Sequence, residues 1–91
     1  MSLRYLSAVA ENPAFTASEK LVLLCLAYHA DEEGLSWPSI TRITRWTSLD
    51  RKTIFSTLER IESYRCLGTD RRHGAVNKYR LSLAAIKSYT S

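Results

Sequence analysis

Three glycines and two prolines are all that this 91-residue chain carries, and that scarcity removes several kinds of chemistry. A loop that cradles phosphate needs glycines at fixed offsets. A nucleophile elbow needs them on both sides of its serine. Neither arrangement occurs, and no paired-carboxylate spacing is present. Cysteine is equally sparse: Cys25 and Cys66 both lie in apolar runs, and the favoured reading is two reduced, buried, small hydrophobes, with a disulfide as the alternative. No CxxC pair exists and His29 and His73 stand alone, which argues against zinc. The chain is therefore read as having no catalytic residue, no metal, no cofactor and no small-molecule ligand: it is not an enzyme. Long apolar runs are missing too. The longest, from Leu21 to Tyr28, is far short of the roughly 20 residues that cross a bilayer. No membrane span or signal peptide is read, and the cytoplasm is the expected location.

What is present is the composition of a small globular domain, 45% hydrophobic and 24% charged. A chain of this length buries roughly 60–65% of its unfolded surface, enough for one core without a deep cleft beside it. The net charge is +4, unevenly spread. Residues 1–39 hold two basic groups against five acidic ones, a balance of −3; residues 40–80 hold ten against four, a balance of +6. That asymmetry suggests one side of the domain faces a polyanion.

Along the chain, Asn12-Pro13 makes a break and Thr16-Ala17-Ser18-Glu19 matches a capping box. The run that follows is apolar on nearly every face, so residues 17–30 are expected to form the central helix. Tyr28 and Trp37 are assigned to the core. Asp31-Glu32-Glu33-Gly34 stops that helix, with Gly34 supplying a left-handed exit. Leu35-Ser36-Trp37 can be no more than a short strand. Pro38 suits the first turn of a helix over about 38–46, carrying Ile40, Ile43 and Thr47 on one face. Thr47-Ser48-Leu49 is a tight turn, and Asp50 is a good N-cap for a helix with Ile54, Leu58 and Ile61 on one stripe. Two short helices joined by a tight turn, the second opening with cations, form a helix-turn-helix pattern. Residues 64–69 and 78–83 read as strands, joined by a basic hairpin tip from Asp70 to Asn77.

Taken in order, Thr16-Ala17-Ser18-Glu19-Lys20-Leu21-Val22-Leu23, Trp37-Pro38-Ser39-Ile40, Lys52-Thr53-Ile54 with Leu58-Glu59-Arg60-Ile61, and Asn77-Lys78-Tyr79-Arg80-Leu81 resemble winged helix-turn-helix DNA-binding domains, especially those of phage and plasmid replication proteins and related bacterial regulators. The resemblance implies a mainly α fold with a small β-wing (α+β): a three-helix core plus a two- or three-stranded antiparallel wing. One domain is expected over 1–91, with its core at about 16–83, an N-terminal extension over 1–15 and a C-terminal tail over 84–91. The sequence departs from the family pattern where Ser48 replaces a turn Gly, Thr44 a small Ala, and Arg65 a Gly at the helix exit. A non-Gly residue at that exit is expected to sit at positive φ unless the helix ends differently.

The resemblance also implies a function: sequence-specific binding of double-stranded DNA, in plasmid or phage replication or in transcription regulation. The recognition helix is placed at about 50–63 and the wing at about 68–80. Helical geometry puts Lys52, Ser56, Glu59 and Arg60 outside, flanked by Arg51 and Thr53. Arg71, Arg72, His73 and Lys78 populate the wing. Glu59 repels phosphate unless it meets a cytosine amino group or a nearby cation. Trp46 and Phe55 sit where the family usually has exposed polar residues. They are assigned to local packing, to a dimer or partner surface, or, for Phe55, to a thymine methyl. The alternative function is a winged helix used for protein contact, such as a replication helicase-loading or assembly adaptor. A weak homodimer is the other expected partner.

Overall fold

The structure, a computed structural model, describes residues 1–70 and 77–91. The elements run α1 (Leu3–Glu11), α2 (Ala17–Tyr28), β1 (Leu35–Ser36), α3 (Ile40–Thr47), α4 (Arg51–Ser63), β2 (Leu67–Asp70), β3 (Lys78–Leu81) and α5 (Leu83–Ser88). The strands form one antiparallel sheet in the order β1-β3-β2. This is the mainly helical α+β arrangement of a winged helix-turn-helix, with a three-stranded sheet. The expected wing residues Arg71, Arg72 and His73 lie outside the described residues.

Helix α2 begins as its sequence dictates. The Thr16 hydroxyl accepts from the Glu19 N–H at 3.3 Å while the Glu19 carboxylate accepts from the Thr16 N–H at 2.9 Å. Val22, Leu23, Cys25, Leu26 and Ala27 are buried along it, and they meet Ile43 of α3, Ile54, Leu58 and Ile61 of α4, and Tyr79 and Leu81 of β3 in one core. Both cysteines are free and buried. Burial raises the Cys25 thiol pKa to about 12, against a smaller opposing pull from Arg42, and burial likewise raises Cys66 to about 11. Neither thiol ionises near neutral pH.

Four expectations need correction. Residues 1–15 are more than an extension, because α1 buries Tyr5, Ala8 and Val9 in the same core. Their spacings of three and four put them on one helix face. Residues 84–91, expected as a tail outside the core, either a short helix or frayed, form the short helix α5 and join the core. The Ser82 hydroxyl caps α5, Ile86 is fully buried, and the Tyr89 ring stacks between Phe15 and Tyr64 with centroids 4.7 and 4.4 Å away. The Asn12 amide donates to the carbonyls of Ile86 and Tyr89 at 2.8 and 3.0 Å, tying the two ends together. Third, Tyr28 and Trp37 are exposed rather than core, at 46% and 53%. Tyr28 ends α2 and packs its ring on Trp46, and Trp37 follows the inward-facing Ser36, so strand alternation turns it outward. Finally, Pro38 precedes the N-cap Ser39 instead of occupying the first helical turn.

Gly34 has φ +86 as expected, but it serves the turn into β1 and not the helix exit, since α2 is capped at His29. A Cβ there would lie 2.7 Å from the Tyr5 hydroxyl and 2.9 Å from the Leu81 carbonyl oxygen. Strand β3 stops at Leu81 because Ser82 turns to cap α5. No described helix is long and apolar enough to cross a membrane.

Candidate nucleic-acid interface

The α3–α4 unit is built by short polar side chains. Ser39 caps α3, accepting from the Arg42 N–H at 3.0 Å. At its other end the buried Thr47 hydroxyl donates to the Ile43 carbonyl at 2.7 Å and accepts from the Leu49 N–H at 3.2 Å. Ser48 takes the left-handed position with φ 63. Asp50 then caps α4 by accepting from the Thr53 N–H. The Thr53 side-chain hydrogen bond, opposed by desolvation and helped by backbone N–H groups and Lys52, holds the Asp50 carboxyl below its ordinary pKa.

The far end of α4 is a Schellman closure with an unusual occupant. Arg65 N–H donates to the Glu62 carbonyl and Cys66 N–H to the Ile61 carbonyl, with Arg65 itself at φ 66. The departure seen in the sequence is therefore real: a side chain stands where glycine carries no Cβ penalty.

Helix α4 buries Ile54, Thr57, Leu58 and Ile61 and leaves Arg51, Lys52, Phe55, Ser56 and Glu59 exposed. Lys52, Phe55, Ser56 and Glu59 line one side of a groove whose other side is Thr69 of β2 and Asn77 just before β3. Thr69 holds that wall in place, its hydroxyl donating to Glu62 at 2.8 Å. Thr53 is half-buried, with its carbonyl accepting from the Ser56 hydroxyl at 3.1 Å. Lys78 is half-buried, its ammonium 5.6 Å from the centre of the Trp37 ring.

Arg60 departs from the expected outer set. Its guanidinium turns to the start of α2, where Nε meets Glu19 Oε2 at 3.0 Å and Nη2 donates to Ser18 and Thr57 at 3.2 and 3.4 Å. Glu19 is buried and also accepts from the Tyr64 hydroxyl at 2.7 Å. Burial pushes the Glu19 pKa up. The bonds from Thr16, Tyr64 and Arg60 outweigh that, and the net shift is downward. The Glu19 bond in turn raises the Arg60 pKa. Arg60 thus fastens α4 to α2, and this is the sole ion pair among the described residues. The sequence offered one signal for it, a carboxylate at the head of an otherwise apolar helix. The partner 41 positions away could not be read.

Trp46 and Phe55 have different neighbours. Trp46, 37% exposed, lies against Tyr28 with ring centroids 5.6 Å apart, while Phe55, 49% exposed, faces the groove beside Lys52. Local packing accounts for part of each ring and leaves the rest open.

A family model described as a helix-turn-helix domain matches residues 16–65, more than half of the chain, from the capping box through α3 and α4 to the Arg65 closure. The chain belongs to the helix-turn-helix domain family. Neither a curated protein nor a solved structure matches it. A helix-turn-helix domain suggests DNA as partner, and such DNA-binding domains are typically not enzymes.

Proposed function

We propose that this helix-turn-helix domain binds double-stranded DNA sequence-specifically, with α4 in the major groove and the β2–β3 hairpin along the backbone. The observation that carries this reading is on α4. Arg51, Lys52 and Ser56 stand exposed on the second helix of the unit, and neither cation is neutralised by an ion pair among the described residues. Lys52 and Arg51 reach phosphates or guanine edges, Thr53 and Ser56 allow close approach, and Phe55 meets a thymine methyl. Glu59 accepts from a cytosine amino group. Arg71, Arg72 and Lys78 contact backbone phosphates. Arg60 is not among the readers, since its guanidinium is engaged by Glu19. The process served is plasmid or phage replication or transcription regulation, in the cytoplasm.

The test is a titration with random duplex DNA at two salt concentrations. Four to six phosphate contacts predict a log–log slope of about −4 to −5. No binding to any duplex at low salt would transfer the function to protein contact, as in a helicase-loading or assembly adaptor.

One observation favours a protein surface beside the DNA surface: Tyr28 and Trp46 form an exposed aromatic pair, with Leu21 also exposed on α2. We propose that this side supports a weak homodimer that sets two copies of α4 about one DNA turn apart. Sedimentation of the wild type and Trp46→Ala, with and without DNA, checks it. A strictly monomeric wild type, bound singly to its site, overturns the dimer and leaves DNA binding intact.

A further inference from the structure

The sheet has two faces, and the helices cover one of them. Register places Ser36, Tyr79 and Thr69 side by side across the three strands. Ser36 and Tyr79 are fully buried and Thr69 is half-buried, so this row faces inward toward α2 and α4. The neighbouring rows point the other way by strand alternation. One is Leu35, Arg80 and Gly68; the other pairs Lys78 with Asp70, and Trp37, just past the end of β1, lies beside Lys78. Among the described residues no helix lies across this outer face, because the sheet packs on α2 through β3 and on α4 through β2.

The outer face combines an aromatic ring and cations. Trp37 is 53% exposed, and the Lys78 ammonium sits 5.6 Å from its ring centre. Arg80 is exposed two positions further along β3 and forms no ion pair among the described residues. Gly68 beside Arg80 leaves open space, with nothing within 4 Å of where a Cβ would stand. Asp70 brings one negative charge to the edge of the face. An exposed indole next to spaced cations on a shallow surface fits an unpaired base with its phosphates. A base within a duplex stacks on its neighbours and offers no free face to such a ring.

We propose that the outer face of the β1-β3-β2 sheet is a second nucleic-acid site, for single-stranded DNA. One base stacks on Trp37 and Arg80 holds an adjacent phosphate, while Lys78, which the duplex reading assigns to the hairpin, braces the indole ring. The site is separate from the duplex reading of α4, and loss of either leaves the other standing. It gives the domain a way to hold duplex and an opened strand together.

The experiment uses the whole chain with Trp46→Phe, so that Trp37 is the sole tryptophan and is excited selectively over the tyrosines, and oligodeoxythymidylate of about ten nucleotides as probe. Binding is expected to quench Trp37 emission. By a direct binding assay on the otherwise unaltered chain, Trp37→Leu is expected to bind the oligonucleotide roughly tenfold more weakly while keeping duplex affinity within about threefold. Arg80→Ala is expected to weaken the oligonucleotide and flatten its salt slope by roughly one. Lys52→Ala is expected to weaken duplex and spare the oligonucleotide. Unquenched Trp37 emission, or wild-type oligonucleotide binding by a Trp37→Leu protein with normal circular dichroism, overturns the proposal.

Discussion

Two cations on one helix, Arg60 and Lys52, have opposite fates. Arg60 lies toward the end of α4 on the flank beside α2, where Glu19, Ser18 and Thr57 take up its hydrogen bonds. Lys52 lies in the first turn, exposed, near the N-cap Asp50 and without an ion pair among the described residues. Both carry one positive charge, yet one holds the fold and the other remains open to a partner. A basic helix is therefore not a uniform DNA-binding surface. What separates the two roles is whether a buried carboxylate waits within reach.

Removing each cation in turn separates the two roles. Arg60→Ala strips the buried Glu19 carboxylate of its counter-ion. Losing one partner of a fully buried pair costs about 3–5 kcal/mol. Arg60 is 43% exposed, and Tyr64 and Thr16 still serve Glu19, so about 2 kcal/mol is expected here. In a domain of this size that lowers Tm by roughly 8–16 °C, while duplex affinity of the folded protein changes by less than about threefold. Lys52→Ala should do the reverse. It is expected to cost about 1–3 kcal/mol on a preferred site, less on random DNA, and to leave stability within about 0.5 kcal/mol. Thermal melting and duplex titration of the two variants decide it. Equal DNA losses for both would erase the distinction.

The hairpin offers a third contrast. Arg71→Ala with Arg72→Ala is expected to weaken all duplex sequences alike and reduce the salt slope by roughly two, because phosphate contacts position without specifying.

Acid separates the two faces as well. The folded pKa of Glu19 lies below its ordinary value near 4.5, so its contribution is fully present above that value. It is lost as pH falls through the lowered folded pKa. Wild-type Tm should therefore drop below about pH 4.5 more steeply than that of Glu19→Gln, which has no carboxylate to protonate. Parallel curves would remove Glu19 from the account.

How much of this could be read in advance followed the range of each interaction. Thr16, Asp50 and the Ile54, Leu58, Ile61 stripe act within one helix, and their elements fell where local rules put them. Helix α1 was missed because Leu3 and Leu6 blur the Tyr5, Ala8, Val9 stripe and Ser2 makes no side-chain cap. Trp37 and Tyr28 misled because size and hydrophobicity say nothing about which way a strand or a helix end turns. Arg60 looked outward on a helical wheel, and only the approach of α2 supplies Glu19. Arg65 was legible as a departure, and it yields the smallest prediction. Removing the Cβ from a residue at φ 66 relieves roughly 1 kcal/mol of backbone strain, part of which the flexibility of glycine in the unfolded chain offsets. Arg65→Gly should raise stability by about 0.5 kcal/mol, read by denaturant unfolding.

The division of α4 into a held face and an open face is tested most directly by amide NMR of the whole chain as duplex DNA is added. Shifts are expected to concentrate at Arg51, Lys52, Phe55, Ser56 and Glu59, with Ser18, Glu19, Arg60 and Tyr64 nearly unmoved. Shifts concentrated at Arg60 and the start of α2, with Lys52 and Ser56 silent, would contradict it.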